Sequence, residues 1–393
     1  MDPSEAEKRL ERLLGYLKQD PENLNLLVDA AELAWQLGRG SVALEWLDQA
    51  LLARPGEPRL LSCKGNALLA LGQLDQAAEI FESLIEQQGR HPVLIFNLAQ
   101  ARQYQGRSNE ALNLLDSVPE EARASVPEFD LSYGRAAYQL QRYEVALQAV
   151  ENFLATHPGY PEALGIRAMV LFDMGREDEA VALSRTLLLQ PGAQWAPHLV
   201  MGSAALSSQD AAAAETHFGK VVEAIPNAGR AWSGLGFAAM MRRDLPAARE
   251  RFQQAVTQMR DHPGTWHGLA WTCILMGDLA KAREAIDHSM QADRNFADNH
   301  GTLAVLEVLQ GRRTEAELSI RKALRLNPAA PSALYARSLL LDTGGDRAAA
   351  DATVERILST MQGPRGVSLL KLYQESRKRG GSIIPPRPPS RLH

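Results

Sequence analysis

The sequence predicts an all-α protein, an α-solenoid (right-handed superhelix) in which helix-turn-helix repeats are stacked in tandem. Three observations lead there. One pattern of large and small apolar residues returns about every 34 residues along nearly the whole chain of 393. Within each copy these residues fall at i, i+3, i+4 and i+7, the spacing of one helical face, where a strand would alternate. Glycine breaks most copies in the middle and proline sits near many of their ends, so each copy divides into two helices.

The phase is clearest in the second half. Trp232, Leu235, Gly236, Ala239, Ala248, Phe252 and Ala255 return as Trp266, Leu269, Ala270, Cys273, Ala282, Ile286 and Ser289, then as His300, Leu303, Ala304, Glu307, Ala316, Ile320 and Ala323. Upstream, Leu61, Gly65, Leu68, Ala77, Phe81 and Leu84 keep step, as do Ile95, Leu98, Ala99, Ala111 and Leu115. One extra residue then shifts the frame. Repeats begin near Leu24, Pro58, Pro92, Pro127, Pro161, Trp195, Gly229, Pro263, Ala297 and Pro331, ten in all, with mid-repeat glycines at Gly38, Gly72, Gly106, Gly175, Gly277, Gly311 and Gly345.

Taken in order, residues 1–23 hold an N-terminal capping helix (SEAEKRLERLLGYLKQ) that imitates the second helix of a missing repeat. Residues 24–364 are the ten-repeat array. Residues 365–379 form a closing amphipathic helix, and 380–393 (GSIIPPRPPSRLH with its preceding glycine) are a disordered, proline- and arginine-rich tail.

Composition narrows the function. A hydrophobic content of 45% is enough to bury a substantial core, while a net charge of −5 without a basic block before the last twenty residues gives no nucleic-acid footprint. Cys63 and Cys273 lie too far apart in sequence to imply a disulfide framework or a thiolate-built zinc site, which fits a reducing, cytoplasmic compartment. The charged N-terminus is unlike a signal peptide, and no run of apolar residues is long enough for a membrane span, so no direct membrane insertion is expected.

Within WSGLGFAA (232–239), Gly234, Gly236 and Ala239 spell G-x-G-x-x-A, but the motif lies in mid-helix after a helix end and turn, whereas a dinucleotide loop follows a strand. Small residues there let helix backbones approach, and the large residue three or four places earlier is expected to fill the neighbouring hole. No P-loop, H-E-x-x-H or G-x-S-x-G motif occurs. His91, His157 and His262 each precede a proline at a repeat boundary and read as solvated turn residues, and the two cysteines as small core residues. The expectation is a non-enzyme with no cofactor, no metal and no catalytic residue.

The pattern W-x2-L-G, then A-x3-F, then A and a closing proline resembles the tetratricopeptide repeat over roughly residues 24–362. The resemblance implies a concave wall formed by the first helices, with the second, fifth, ninth, twelfth and thirteenth places of each repeat facing inward, and protein partners bound there as a helix or an extended segment. On this chain those places include Trp35, Phe96, Gln100, Tyr104, Arg135, Tyr138, Met169, Phe172, Phe237, Met240, Met241, His267 and Trp271, the candidate binding residues. The ninth and twelfth places turn apolar towards the C-terminus, through Ile274, Val305, Val308 and Leu339, either to meet a partner or to be buried by the coil itself. The family's clamp for a C-terminal carboxylate is matched at Asn66 and Asn97 only; Ser62, Glu128 and Ser132 stand where it has cations, which argues against that ligand. The expected function is a non-catalytic protein-interaction scaffold or adaptor, the alternative a regulatory or targeting subunit of one enzyme.

Overall fold

A computed structural model describes residues 3–126, 128–190 and 194–360. Among them there are 22 helices and no strand. The closing helix expected at 365–379 and the tail at 380–393 lie outside the described residues. Helix α1 (Pro3–Gln19) precedes the repeats, which run α2 (Leu24–Gln36) and α3 (Gly40–Ala53), α4 (Pro58–Ala70) and α5 (Leu74–Gln88), then α6 (Pro92–Tyr104) and α7 (Ser108–Asp116). A four-residue helix, α8 (Glu120–Arg123), stands where the sequence gains its extra residue. Beyond it come α9 (Phe129–Gln139) and α10 (Tyr143–Thr156), α11 (Pro161–Asp173) and α12 (Glu177–Leu188), and α13 (Trp195–Ser207) and α14 (Ala211–Ala224). The last four repeats are α15 (Gly229–Met241) and α16 (Leu245–Gln258), α17 (Pro263–Leu275) and α18 (Leu279–Ala292), α19 (Ala297–Leu309) and α20 (Arg313–Leu326), and α21 (Pro331–Thr343) and α22 (Arg347–Thr360). The chain forms two compact units, Met1–Gly175 with α1 to α11 and Arg176–His393 with α12 to α22.

The turn inside each repeat has one backbone solution. Its fifteenth residue is left-handed in all ten repeats: seven are the glycines expected from the sequence, with φ of 73 to 87°, and the others are Gln141, Gln209 and Arg243 at 58, 59 and 62°. The reason is hydrogen bonding at the end of the first helix. The fifteenth amide reaches back three residues and the sixteenth five, as in Gly277 to Ile274 and Asp278 to Cys273, both at 2.9–3.0 Å, so the orphan carbonyls are satisfied only if the fifteenth residue bends left. The sixteenth residue also begins the second helix; Asp210, Asp244, Asp278 and Asp346 cap it by accepting from Ala213, Ala247, Lys281 and Ala349 at 3.0–3.2 Å.

The core is a set of sockets. At the eighth place of the first helix a small residue faces the twenty-fourth place on the second, and the two are matched in volume. Gly65 faces Phe81 and Gly202 faces Phe218, where an added Cβ would lie 2.6 and 2.9 Å from the ring; Gly134 faces Val150 at 2.7 Å and Gly236 faces Phe252 at 2.9 Å. Where alanine holds the eighth place the partner place is smaller than phenylalanine: Ala31 with Leu47, Ala99 with Leu115, Ala270 with Ile286, Ala304 with Ile320, all buried. Two of the rings are gripped twice, because the next repeat brings Gly234 against Phe218 and Gly268, at 2.6 Å, against Phe252. The filler of the small-residue hole is therefore the second-helix ring, and not the tryptophan a few places earlier on the same helix. Trp232 and Trp266 are half-buried and close the preceding turn instead, their Nε1 donating to the carbonyls of Pro226 and Arg260 at 2.8 and 2.7 Å.

Cys63 and Cys273 are buried core residues as expected; burial, with Glu32 and Asp29 nearby, pushes the Cys63 thiol up to about 12, so it is inert at neutral pH. His262 does more than sit in a solvated turn. Its Nδ1 accepts the Thr265 amide at 3.2 Å and caps α17.

Two outcomes follow for stability. Replacing Gln141, Gln209 or Arg243 by glycine removes left-handed strain and is expected to raise stability by about 0.5–1 kcal/mol each, read as a higher urea midpoint, while Gly277→Ala lowers it. Gly236→Trp drives a side chain into the Phe252 ring and is expected to cost about 1–3 kcal/mol; an unchanged midpoint would contradict the socket.

Candidate functional site

The two units are taken separately. In the first, the exposed apolar residues on first helices are Val93 and Tyr104, at the two ends of α6, 38% and 55% accessible. The neighbours of Tyr104 are mostly engaged within the protein. Arg135 forms an ion pair with Glu162, and the Tyr138 hydroxyl donates to Asp173 at 2.7 Å. Trp35 is half-buried against the N-terminal core cluster, with no acceptor for its Nε1 among the described residues. Gln100 and Phe172 are half-buried. Phe96 and Met169, expected on the binding wall, lie inside the core at 8% and 4% accessibility; Phe96 packs with Val126 and Phe129, which the extra turn around α8 folds over it. The Asn97 that matched the carboxylate clamp is buried too, and Glu128 accepts from the Tyr160 hydroxyl at 3.1 Å.

In the second unit three residues on neighbouring first helices remain uncovered: Phe237 and Met241, one turn apart on α15, and Leu275 on α17, each 38–40% accessible. Phe237 is held in place from behind, its ring standing edge-on to Phe252 at 5.0 Å and 87°. The surface patch is thus fixed by the same ring that fills the socket. Leu275 shares the thirteenth place with Met241; the sequence places it there, but burial is needed to separate it from covered neighbours. Met240 and Trp271 pack against the core cluster of this unit and are half-buried. The apolar drift towards the C-terminus is resolved by burial: Ile274, Val305 and Leu339 are 4%, 1% and 0% accessible. Those residues are apolar because neighbouring repeats cover them.

His267 joins α17 to α19 and α21. Trp271 Nε1 donates to its Nε2 at 3.1 Å, so Nε2 carries no proton; Thr302 Oγ1 donates to the same nitrogen at 2.8 Å, and the Ser332 hydroxyl stands 3.5 Å away. Phe296 and Tyr335 complete the wall, the first edge-on to His267 at 5.7 Å and the second 5.8 Å from Trp271. Burial holds His267 below its usual 6.5, partly opposed by Asp298, and burial raises the Tyr335 hydroxyl. The arrangement suits a neutral, positioned imidazole that accepts from the Thr302 hydroxyl. Among the described residues no three metal-ligating side chains converge, and no helix is long and apolar enough to cross a membrane.

Tetratricopeptide repeat models match residues 2–66, 68–131 and 239–306, and a second model of the same repeat matches 131–194 and 199–264. The chain belongs to the tetratricopeptide repeat family. Among solved structures, this tetratricopeptide repeat chain is similar to that of the Cut9–Hcn1 hetero-tetramer of the APC/C, with a TM-score of 0.55 and 14% identity over 89% of this chain and 77% of that one. It is also similar to human IFIT1, as a dimer with m7Gppp-AAAA (TM-score 0.54, 15% identity, 92% of this chain and 95% of that one) and as a monomeric mutant with Gppp-AAAA (0.54, 14%, 92% and 96%). At these identities the likeness shows the fold alone. No curated protein matches the chain.

The buried neutral His267 has a pH consequence. Its folded pKa lies below 6.5, so as pH falls the unfolded chain takes the proton first. Its contribution is complete above about pH 6.5 and is lost below it. Thermal melts between pH 7.5 and 5.5 are expected to show a falling midpoint, and His267→Leu to show a smaller fall; an unchanged slope would mean that folding does not lower the His267 pKa.

Proposed function

We propose that this protein is a non-catalytic interaction scaffold that holds a helical or extended segment of a partner protein against the first helices of its repeats. The observation that carries this reading is the set of Phe237, Met241 and Leu275, three large apolar side chains left open on adjacent first helices of the second unit, whose other open leucines, Leu189, Leu318 and Leu326, lie outside its first helices. A ring braced by Phe252 is an anchor whose ordering cost is already met by the fold, which favours binding. Tyr104 is a corresponding open side chain of the first unit.

The IFIT1 structures hold m7Gppp-AAAA or Gppp-AAAA, and this chain is less suited to so anionic a ligand. Its net charge is −5, and on the first helices Arg135 is neutralised by Glu162. The repeat family supports protein binding.

The test is affinity capture with quantitative mass spectrometry, comparing the natural chain with one carrying Phe237→Asp, Met241→Asp and Leu275→Asp. One or more proteins should fall at least tenfold in the variant while circular dichroism stays unchanged. An identical set of captured proteins from both would overturn the reading. Trp271→Ala and Met240→Ala, by contrast, are expected to lower stability by about 2–4 kcal/mol, since both pack on the core.

A further inference from the structure

The second unit contains a pair of histidines that neither the packing nor the interaction surface uses. His198 lies on α13 and His217 on α14, the two helices of one repeat, and their Nδ1 atoms face each other at 2.9 Å. The ring centroids are 5.2 Å apart and the planes are inclined by 43°. The pair sits beside a rigid point: His198 is one turn before Gly202, and His217 immediately precedes Phe218, the ring that fills the Gly202 and Gly234 sockets. The backbone positions of both histidines are therefore fixed by the tightest contact in the repeat.

Both imidazoles are half-buried and both are held below 6.5, His198 by burial, by His217 and by Lys220, against Glu223, and His217 by burial. At neutral pH they are uncharged, which is the form that binds a metal ion. With the rings as they stand, one nitrogen donates to the other in a nearly straight line. A tetrahedral cation with Zn–N bonds of about 2.0–2.1 Å needs its two nitrogens about 3.3 Å apart. Because the nitrogens stand off the ring centres by a little over an ångström, the same tetrahedral arrangement places the ring centroids about 5.2 Å apart. The observed separation is already that value, so the ring centres can stay where they are while each ring turns and the angle between the planes narrows to aim both nitrogens at one ion.

We propose that His198 and His217 form a two-imidazole seat for a divalent transition-metal ion of the zinc class. The ion takes the place of the shared proton, which is exchanged through solvent from Nδ1 to Nε2 of the same ring, so that both imidazoles ligate as neutral Nε2–H tautomers. Two coordination places are filled by the histidines, and the others by water, because no third His, Cys, Asp or Glu converges on the pair among the described residues. Lys220, paired with Glu223 at 2.8 Å, faces the same region and limits affinity by its charge. Two protein ligands make a weak, exchangeable site and not a structural one.

The experiment uses the untagged full-length chain, titrated with Zn(II) by calorimetry and with Co(II) by visible spectroscopy, in which a tetrahedral centre gives an intense d–d band. One equivalent is expected to bind at pH 7.5, with binding weakened at least tenfold in His198→Ala and in His217→Ala. Far-ultraviolet circular dichroism and thermal melts check that both variants keep the fold, and His217→Gln supplies a milder second variant. The proposal is overturned if the natural chain binds no equivalent of either ion, or if the double variant His198→Ala with His217→Ala binds as tightly as the natural chain.

Discussion

The structure depends on a size match between two places of the repeat, found in eight of the ten repeats. A residue on the first helix and one sixteen positions later on the second share a fixed space, and what one gives up the other takes. Glycine goes with phenylalanine or valine, alanine with leucine or isoleucine. Interiors packed to crystal-like density allow no slack in such a pair. Changing one place alone leaves either a void or a clash, so the two places vary together. Phe252 carries this furthest: it fills its own repeat's socket, is gripped by Gly268 of the next, and props Phe237 outward.

The turn and the cap supply the second constraint, and it is one of hydrogen bonding. The fifteenth residue must be left-handed so that the last carbonyls of the first helix find amides, and the sixteenth must start a new helix at once. Socket and turn act on different parts of the same hairpin. One sets how close the helices lie, the other how the chain reverses between them.

Much of this was legible in the sequence, because both constraints repeat with the period. The ten helix pairs, the seven glycine turns and the burial of Cys63 and Cys273 follow from phase and residue size. The three turns without glycine were not visible as left-handed, since Gln141, Gln209 and Arg243 carry no local sign of their φ. The partner of the small-residue hole was misplaced for a related reason: periodicity on one helix reveals a face, but not which residue of another helix enters it. The surface was the least legible part. Inward register alone could not separate Met241 and Leu275, which stay open, from Phe96 and Met169, which are covered, because that depends on how much of each side chain the adjoining helices overlie. The His198–His217 pair was invisible for the simplest reason, that its members are nineteen residues apart and meet only through the hairpin.

The extra residue between the third and fourth repeats shows where this chain can absorb a change of length. There α7 stops after nine residues, α8 adds a short turn, Val118 and Val126 dip into the core, and Arg123 lies over the rings of Phe129 and Tyr133 at 5.3 and 5.9 Å. Glu128, at a φ of 61°, restores the helical start. The reading frame of the repeat is thus reset within one junction, and the sockets downstream are not disturbed. An insertion inside a repeat would separate a hole from the ring that fills it; one between repeats only lengthens the spacer. The architecture behaves like a text that tolerates edits between its words and not within them, which gives gene rearrangement a natural set of joints.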